Sequence, residues 1–89
     1  MRVPLGKTVA TPGALTALRR VNQSEVEFLA RHAAGDWGDI SPGDAKLNDQ
    51  AARKGGRLLS AYTLRDGTRL WVITEADRSV TTLLLPDEY

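Results

Sequence analysis

The chain has no cysteine, and its single histidine is His32. A disulfide framework and a thiolate metal site are excluded, and zinc, which draws on Cys and His together, has nothing to build on. No metal and no cofactor are expected. Charge of one sign is lacking as well. Twelve Lys+Arg stand against eleven Asp+Glu, a formal charge of +1, too weak a field to steer the protein toward nucleic acid or an anionic membrane. Long apolar runs are absent, Leu70-Trp71-Val72-Ile73 and Leu83-Leu84-Leu85 being the main ones, far short of a membrane span or of a secretory leader. A cytoplasmic location is expected. Aromatics are scarce, with one Phe, two Trp and two Tyr, so each weighs heavily in any core.

What is there describes one small folded domain. Eighty-nine residues cannot hold a Rossmann unit, a methyltransferase core or a kinase. A hydrophobic fraction of 42% with 26% charged is ordinary for globular proteins and rules out disordered or fibrous chains. A domain this size buries only roughly 60% of its unfolded surface. Added support from a partner, or from a second copy in a homodimer, is therefore in keeping with its length.

The first half reads as helical. Leu5 to Ala10 is a short strand that stops at Thr11-Pro12-Gly13, where Thr is a good N-cap and Pro suits the first helical position. Ala14, Leu15, Ala17, Leu18 and Val21 then recur at three and four, with Arg19 and Arg20 at the carbonyl end, and the helix closes near Asn22. Ser24-Glu25-Val26-Glu27 has capping-box spacing. The second helix is expected to bury Val26, Leu29, Ala30 and Ala33, with Phe28 and His32 on a neighbouring stripe and Gly35 as its stop. Gly35-Asp36-Trp37-Gly38-Asp39 is a loop that tertiary contacts must order. Ser41-Pro42 starts a third helix with a thin stripe of Ala45, Leu47, Ala51 and Ala52, ended by Gly55-Gly56.

The second half changes period. Arg57–Arg65, Asp66-Gly67 and Thr68–Glu75 carry a hairpin signature with a two-residue type I′ turn. That turn sets Arg65 opposite Thr68, Tyr62 opposite Trp71, Ser60 opposite Ile73 and Ala61 opposite Val72. Ala76-Asp77-Arg78-Ser79 forms a second turn and Val80–Leu85 a third strand, stopped by Pro86. The expected fold is α+β: two to three N-terminal helices on one face of a three- to four-stranded antiparallel sheet, a C-terminal meander joined by the N-terminal strand.

Few residues suggest chemistry. His32 alone has an ordinary pKa near neutrality, and with Asp36 or Asp39 nearby it could act as a general base on a phosphodiester, with Arg57 or Arg78 stabilising the phosphate charge. A histidine near a helix end more often caps carbonyls. Asp36, Asp39 and Asp44 could be drawn as a magnesium site, but capping explains them more simply, Asp39 lying just before Ser41-Pro42. Trp37 between two glycines is either an exposed anchor for a partner or a core plug, and the plug is favoured in so small a domain. Arg57, Arg69 and Arg78 stand among Asp66, Glu75, Asp77, Asp87 and Glu88, so turn ion pairs outweigh a phosphate-binding patch. The candidate binding set is Asp36, Trp37, Asp39, Arg57, Arg69, Trp71 and Arg78. DNA recognition would require Thr16–Val21 to act as a recognition helix.

Gly35-Asp36-Trp37-Gly38, Asn48-Asp49, Gly56-Arg57, Ser60-x-Tyr62, Trp71-x-Ile73-Thr74-Glu75-Ala76-Asp77-Arg78-Ser79, Thr81-Thr82 and Pro86-Asp87-Glu88-Tyr89 resemble a family of short bacterial proteins of plasmids and other mobile elements. Members are labelled plasmid-related or hypothetical, and sometimes type I restriction modification subunit, although nothing here matches a methyltransferase core. The resemblance implies a bacterial, cytosolic protein concerned with host or plasmid maintenance, and it carries over no catalytic residue. The order strand, helices, meander is also similar to RelE-like ribonuclease toxins, which implies RNA cleavage as the alternative to a role in protein binding. Those toxins are strongly basic, and this chain is not.

Overall fold

Three hydroxyls start three helices. The Thr11 side chain accepts from the Ala14 N–H at 3.1 Å, Ser24 from Val26 at 3.1 Å and Ser41 from Asp44 at 3.1 Å, each relieving one of the amides that a first turn leaves unpaired. In a computed structural model, which describes residues 2–89, they open α1 (Pro12–Arg20), α2 (Glu25–Ala33) and α3 (Pro42–Lys54). The strands are β1 (Lys7–Ala10), β2 (Leu58–Thr63), β3 (Arg69–Thr74) and β4 (Val80–Leu84), followed by a 3-10 turn over Pro86–Glu88. The α+β class expected from the sequence is the one observed.

Sheet order is β1-β4-β3-β2. The meander is antiparallel, but β1 lies parallel to β4, so the sheet is mixed and the all-antiparallel expectation is corrected. Three helices separate β1 from the meander, and a connection of that length can bring the chain in from either end. The hairpin register is also corrected, by one residue. Gly67 N–H donates to Leu64 and Leu64 N–H to Thr68, and Gly67 alone in this turn has a positive φ, +90°. The turn is therefore a three-residue loop closed by a left-handed glycine, not the two-residue type I′ turn. Trp71 faces Ala61, Tyr62 faces Leu70 and Ser60 faces Val72, so Trp71 and Tyr62 point to opposite faces and make no cross-strand pair.

One slip of register decides the core. Leu58, Ser60 and Tyr62 share the inner face with Leu70, Val72, Thr74, Thr81 and Leu83. Tyr62, Leu64, Leu70, Val72 and Leu83 pack there against Ala14, Ala17 and Leu18 of α1 and Phe28 of α2. The buried side of α2 is Phe28, His32 and Ala33, whereas Val26, expected inside, is 69% exposed. The stripe read as neighbouring is the one that faces the sheet. On α3 the thin alanine stripe packs around Trp37, Val3 and Leu58, Leu47 is exposed, and the residue buried is Asn48.

Asn48 has a specific task. Its amide donates to the Leu59 carbonyl at 2.8 Å and its oxygen accepts from the Leu59 N–H at 3.3 Å, standing in for one residue of a fifth strand on the β2 edge. Two residues on, Ala61 N–H donates to Trp37 and Ala61 C=O accepts from Asp39 N–H, so Gly38 forms a parallel bridge to the same edge. An unpaired edge invites pairing with another chain, and this one is sealed. Asn48→Ala is expected to cost about 1–3 kcal/mol by stranding both Leu59 groups, checked by denaturant unfolding.

Candidate functional site

His32 is completely buried. Its Nδ1 lies 2.6 Å from Ser60 Oγ and its Nε2 2.8 Å from Thr74 Oγ1, which is 2.7 Å from Thr81 Oγ1. The directions of these bonds follow from proton counting. Thr81 donates its one hydroxyl proton to the Leu5 carbonyl at 2.7 Å, so Thr74 must donate to Thr81. Thr74 then has no proton for the imidazole, so Nε2–H donates to Thr74 and Nδ1 accepts from Ser60. This fixes the neutral tautomer. Burial, reinforced by the Arg78 cation, pushes the His32 pKa down to about 4. The imidazole ties α2 to β2 and β3 directly and, through Thr74 and Thr81, to β4 and the N-terminal segment, and with both ring nitrogens engaged and no exposed surface it presents nothing to a substrate. A general base must reach the proton it removes, and here it cannot.

The Gly35–Asp39 loop is structural along its length. Trp37 is 5% exposed, donates its indole N–H to Asp49 at 2.9 Å and meets the His32 ring edge-on at 5.5 Å. It is the plug of the two readings and offers a partner no surface. Asp36 pairs with Arg31 at 2.6 Å, and that guanidinium holds its carboxyl below the usual range. Arg31 also lies 4.5 Å above the Tyr62 ring, and the Tyr62 hydroxyl donates to the Asp36 carbonyl at 2.7 Å. Asp39 caps no helix, since Ser41 does so. Its carboxylate accepts from Thr63 at 2.7 Å and its carbonyl from Arg69 at 3.1 Å.

Arg78 is spent too. It sits at φ +62° and donates to the carbonyls of Gly56, Glu75 and Ala51 at 2.6, 3.1 and 2.9 Å. The guanidinium thus closes the end of α3 against the β3–β4 turn. Turn ion pairs were expected, yet among the described residues only Arg31–Asp36 and Arg57–Glu75 come within 4 Å, and Arg78 takes carbonyls instead.

The outer sheet face is different. Trp71 is half-buried there, on the side opposite the helices, with Ala61 and Leu84 beside it. The Tyr89 ring packs edge-on against it at 5.7 Å, Arg57 donates to the Tyr89 hydroxyl at 2.6 Å and stacks on its ring, and Glu75 holds Arg57 at 3.7 Å. Beyond Leu59 the face runs into a groove of about 270 Å³ lined by Ile40, Asp44, Leu47, Asn48 and Leu59. Leu47 is 62% exposed on its rim. The structure therefore brings Trp71 and Arg57 together, holds Arg69 against Asp39 at the near end of the same face, and separates Asp36, Trp37 and Arg78 from them.

Sequence reasoning missed Tyr89, the Ile40–Leu47–Leu59 groove and Glu88. Only Glu88 left a signal. α1 has no acid in its first turn, and Glu88 supplies one from the far end of the chain. It accepts from Thr11 Oγ1 at 2.5 Å, Gly13 N–H at 3.2 Å and Leu85 N–H at 2.8 Å, and the Thr11 hydroxyl first among these lowers its pKa. This contact fixes the C-terminal turn and so places Tyr89.

Among the described residues no helix is long and apolar enough to cross a membrane, and no group of three or more acidic or histidine side chains could hold a metal. Comparison with protein families, curated proteins and solved structures gives no match.

Proposed function

We propose that the chain is a small cytoplasmic accessory protein of mobile-element type that acts by binding another protein through the outer face of its sheet. The mobile-element setting rests on the sequence resemblance. The binding mode rests on one observation: a Trp, a Tyr and an Arg are assembled on the outer side of the sheet, where Ala61, Ile73 and Leu84 are buried and Tyr89 is exposed. These three residue types dominate binding hot spots because they combine large rigid surface with a polar handle. The adjoining groove takes an apolar side chain of the partner against Leu47 and Leu59.

The test is capture of a stoichiometric partner from the host by tagged protein. Trp71→Ala is expected to reduce capture by at least about 30-fold, the effect of a hot spot of about 2 kcal/mol, at a temperature where circular dichroism shows the variant folded, while Lys46→Ala on exposed α3 leaves capture intact. Capture indifferent to both Trp71→Ala and Arg57→Ala would refute the assignment. A simpler check needs no partner. Iodide is expected to quench the emission of Trp71 and not that of Trp37, so Trp71→Phe should leave a spectrum that iodide barely affects.

A further inference from the structure

The two sheet edges are treated differently. The β2 edge is sealed by Asn48 and Gly38, whereas β1, at the opposite end of the sheet, has no strand beyond it among the described residues. Lys7 and Thr11 N–H point inward to Ser79 and Leu83, so the alternation of a strand turns the N–H and C=O groups of Thr8 and Ala10 outward. Lys7, Thr8 and Val9 are all exposed, Val9 at 37%. Outward main-chain donors and acceptors in strand spacing recognise another extended backbone.

We propose that β1 pairs antiparallel with β1 of a second copy, about a two-fold axis at Val9, joining two sheets into one of eight strands. Three features select this occupant and this register. With Val9 opposite Val9 of the second copy, Thr8 faces Ala10 in both directions, and each such pair exchanges two hydrogen bonds, so every outward group of the strand is used. An axis at Thr8 would instead call on Gly6, which at φ +64° is not extended. Next, Lys7 sits at the strand end, so the two lysines lie about 14 Å apart along the pair, beyond the screening length of about 8–10 Å. An edge lysine in mid-strand would block pairing, and this one does not. Last, a hollow of about 70 Å³ lies beside the edge on the helix side, lined by Thr8, Val9, Ala10, Glu25, Leu29 and Leu83. Thr8 and Ala10 of the second copy, on that same side, are small enough to enter it.

Four residues a side bury less than the roughly 1,200 Å² of a stable interface, so the association is weak and rises with concentration. The absence of cysteine makes it easy to trap. Opposed Val9 residues form a non-hydrogen-bonded pair, with Cα atoms about 4.5 Å apart, inside the disulfide range, whereas the two Thr8 residues lie about 8 Å apart, outside it. Under mild oxidation, Val9→Cys is expected to form a disulfide dimer at least about 10-fold faster than Thr8→Cys or the remote Lys46→Cys. Adding Thr8→Pro, which removes an outward N–H and none of the bonds to β4, should abolish that advantage, with circular dichroism confirming the fold. If Val9→Cys oxidises no faster than the other two, the proposal is wrong, including the case in which light scattering finds a dimer built on another face.

Discussion

Replacing Gly38 by alanine is expected to destabilise the protein by at least about 3 kcal/mol. A Cβ at this position would lie against the Ala61 carbonyl oxygen and 2.6 Å from the Tyr62 ring, and the residue sits at φ +75°, where L side chains are strained. Either the loop lifts off the β2 edge, unpairing both Ala61 groups, or the edge itself distorts, and both are among the mechanisms behind large mutational losses. Gly67→Ala separates strain from collision. Gly67 has φ +90° with nothing within 4 Å of the added carbon, so it should cost only about 1–2 kcal/mol. Denaturant unfolding of the two variants checks the pair, and a Gly38→Ala loss no larger than that of Gly67→Ala would contradict the sealed edge.

His32→Ala is expected to cost about 3–5 kcal/mol, combining a cavity with the stranded Ser60 and Thr74 hydroxyls. The same residue sets a pH dependence. Its folded pKa, about 4, lies below the unfolded value near 6.5. Between those values the unfolded chain binds a proton that the native protein does not, so stability rises with pH. The contribution is complete above about pH 6.5 and is lost as pH falls toward 4, some 3 kcal/mol in all at 1.36 kcal/mol per unit. His32→Gln should lose that slope. Asp36, Asp66, Asp77 and Glu88 all have lowered pKa values, but their contributions fall away at lower pH and cancel between the two proteins. Parallel stability profiles for wild type and His32→Gln from pH 7 to 4.5 would refute the neutral buried imidazole.

Much of the fold was legible because it is written locally. Thr11-Pro12, Ser24 and Ser41-Pro42 are caps whose chemistry acts within one turn, and the change of period at Arg57 marks the meander. What could not be read is non-local or turns on a single residue. The hairpin register hung on whether Asp66-Gly67 closed a two- or three-residue loop, and the same dipeptide serves both. That choice moved Trp71 away from Tyr62 and onto the outer face. Pairing of β1 with β4 spans some seventy residues, and no local pattern states whether a strand arrives parallel or antiparallel. On α2 the periodicity was right and Ala33 lies inside as expected, but the buried side runs through Phe28 and His32 rather than Val26, because the Ser60 and Thr74 hydroxyls satisfy both ring nitrogens of His32 inside.

The candidate site followed the same division. Trp71 and Arg57 were singled out by residue type and stay together in space. Asp36, Asp39 and Arg78 looked like surface chemistry only because their partners, Gly38, Thr63 and the carbonyls of Ala51 and Gly56, are fixed by the fold. Tyr89 needed the Glu88 clasp on α1 before it could meet Trp71.

The central claim is that the outer sheet face binds and the histidine layer does not. Two indole N–H resonances report on the two sides independently, Trp71 on the outer face and Trp37 against His32. Titrating the captured partner into ¹⁵N-labelled protein should shift or broaden the Trp71 indole signal and leave that of Trp37 in place. A saturating titration that moves the Trp37 signal while Trp71 stays still would contradict it.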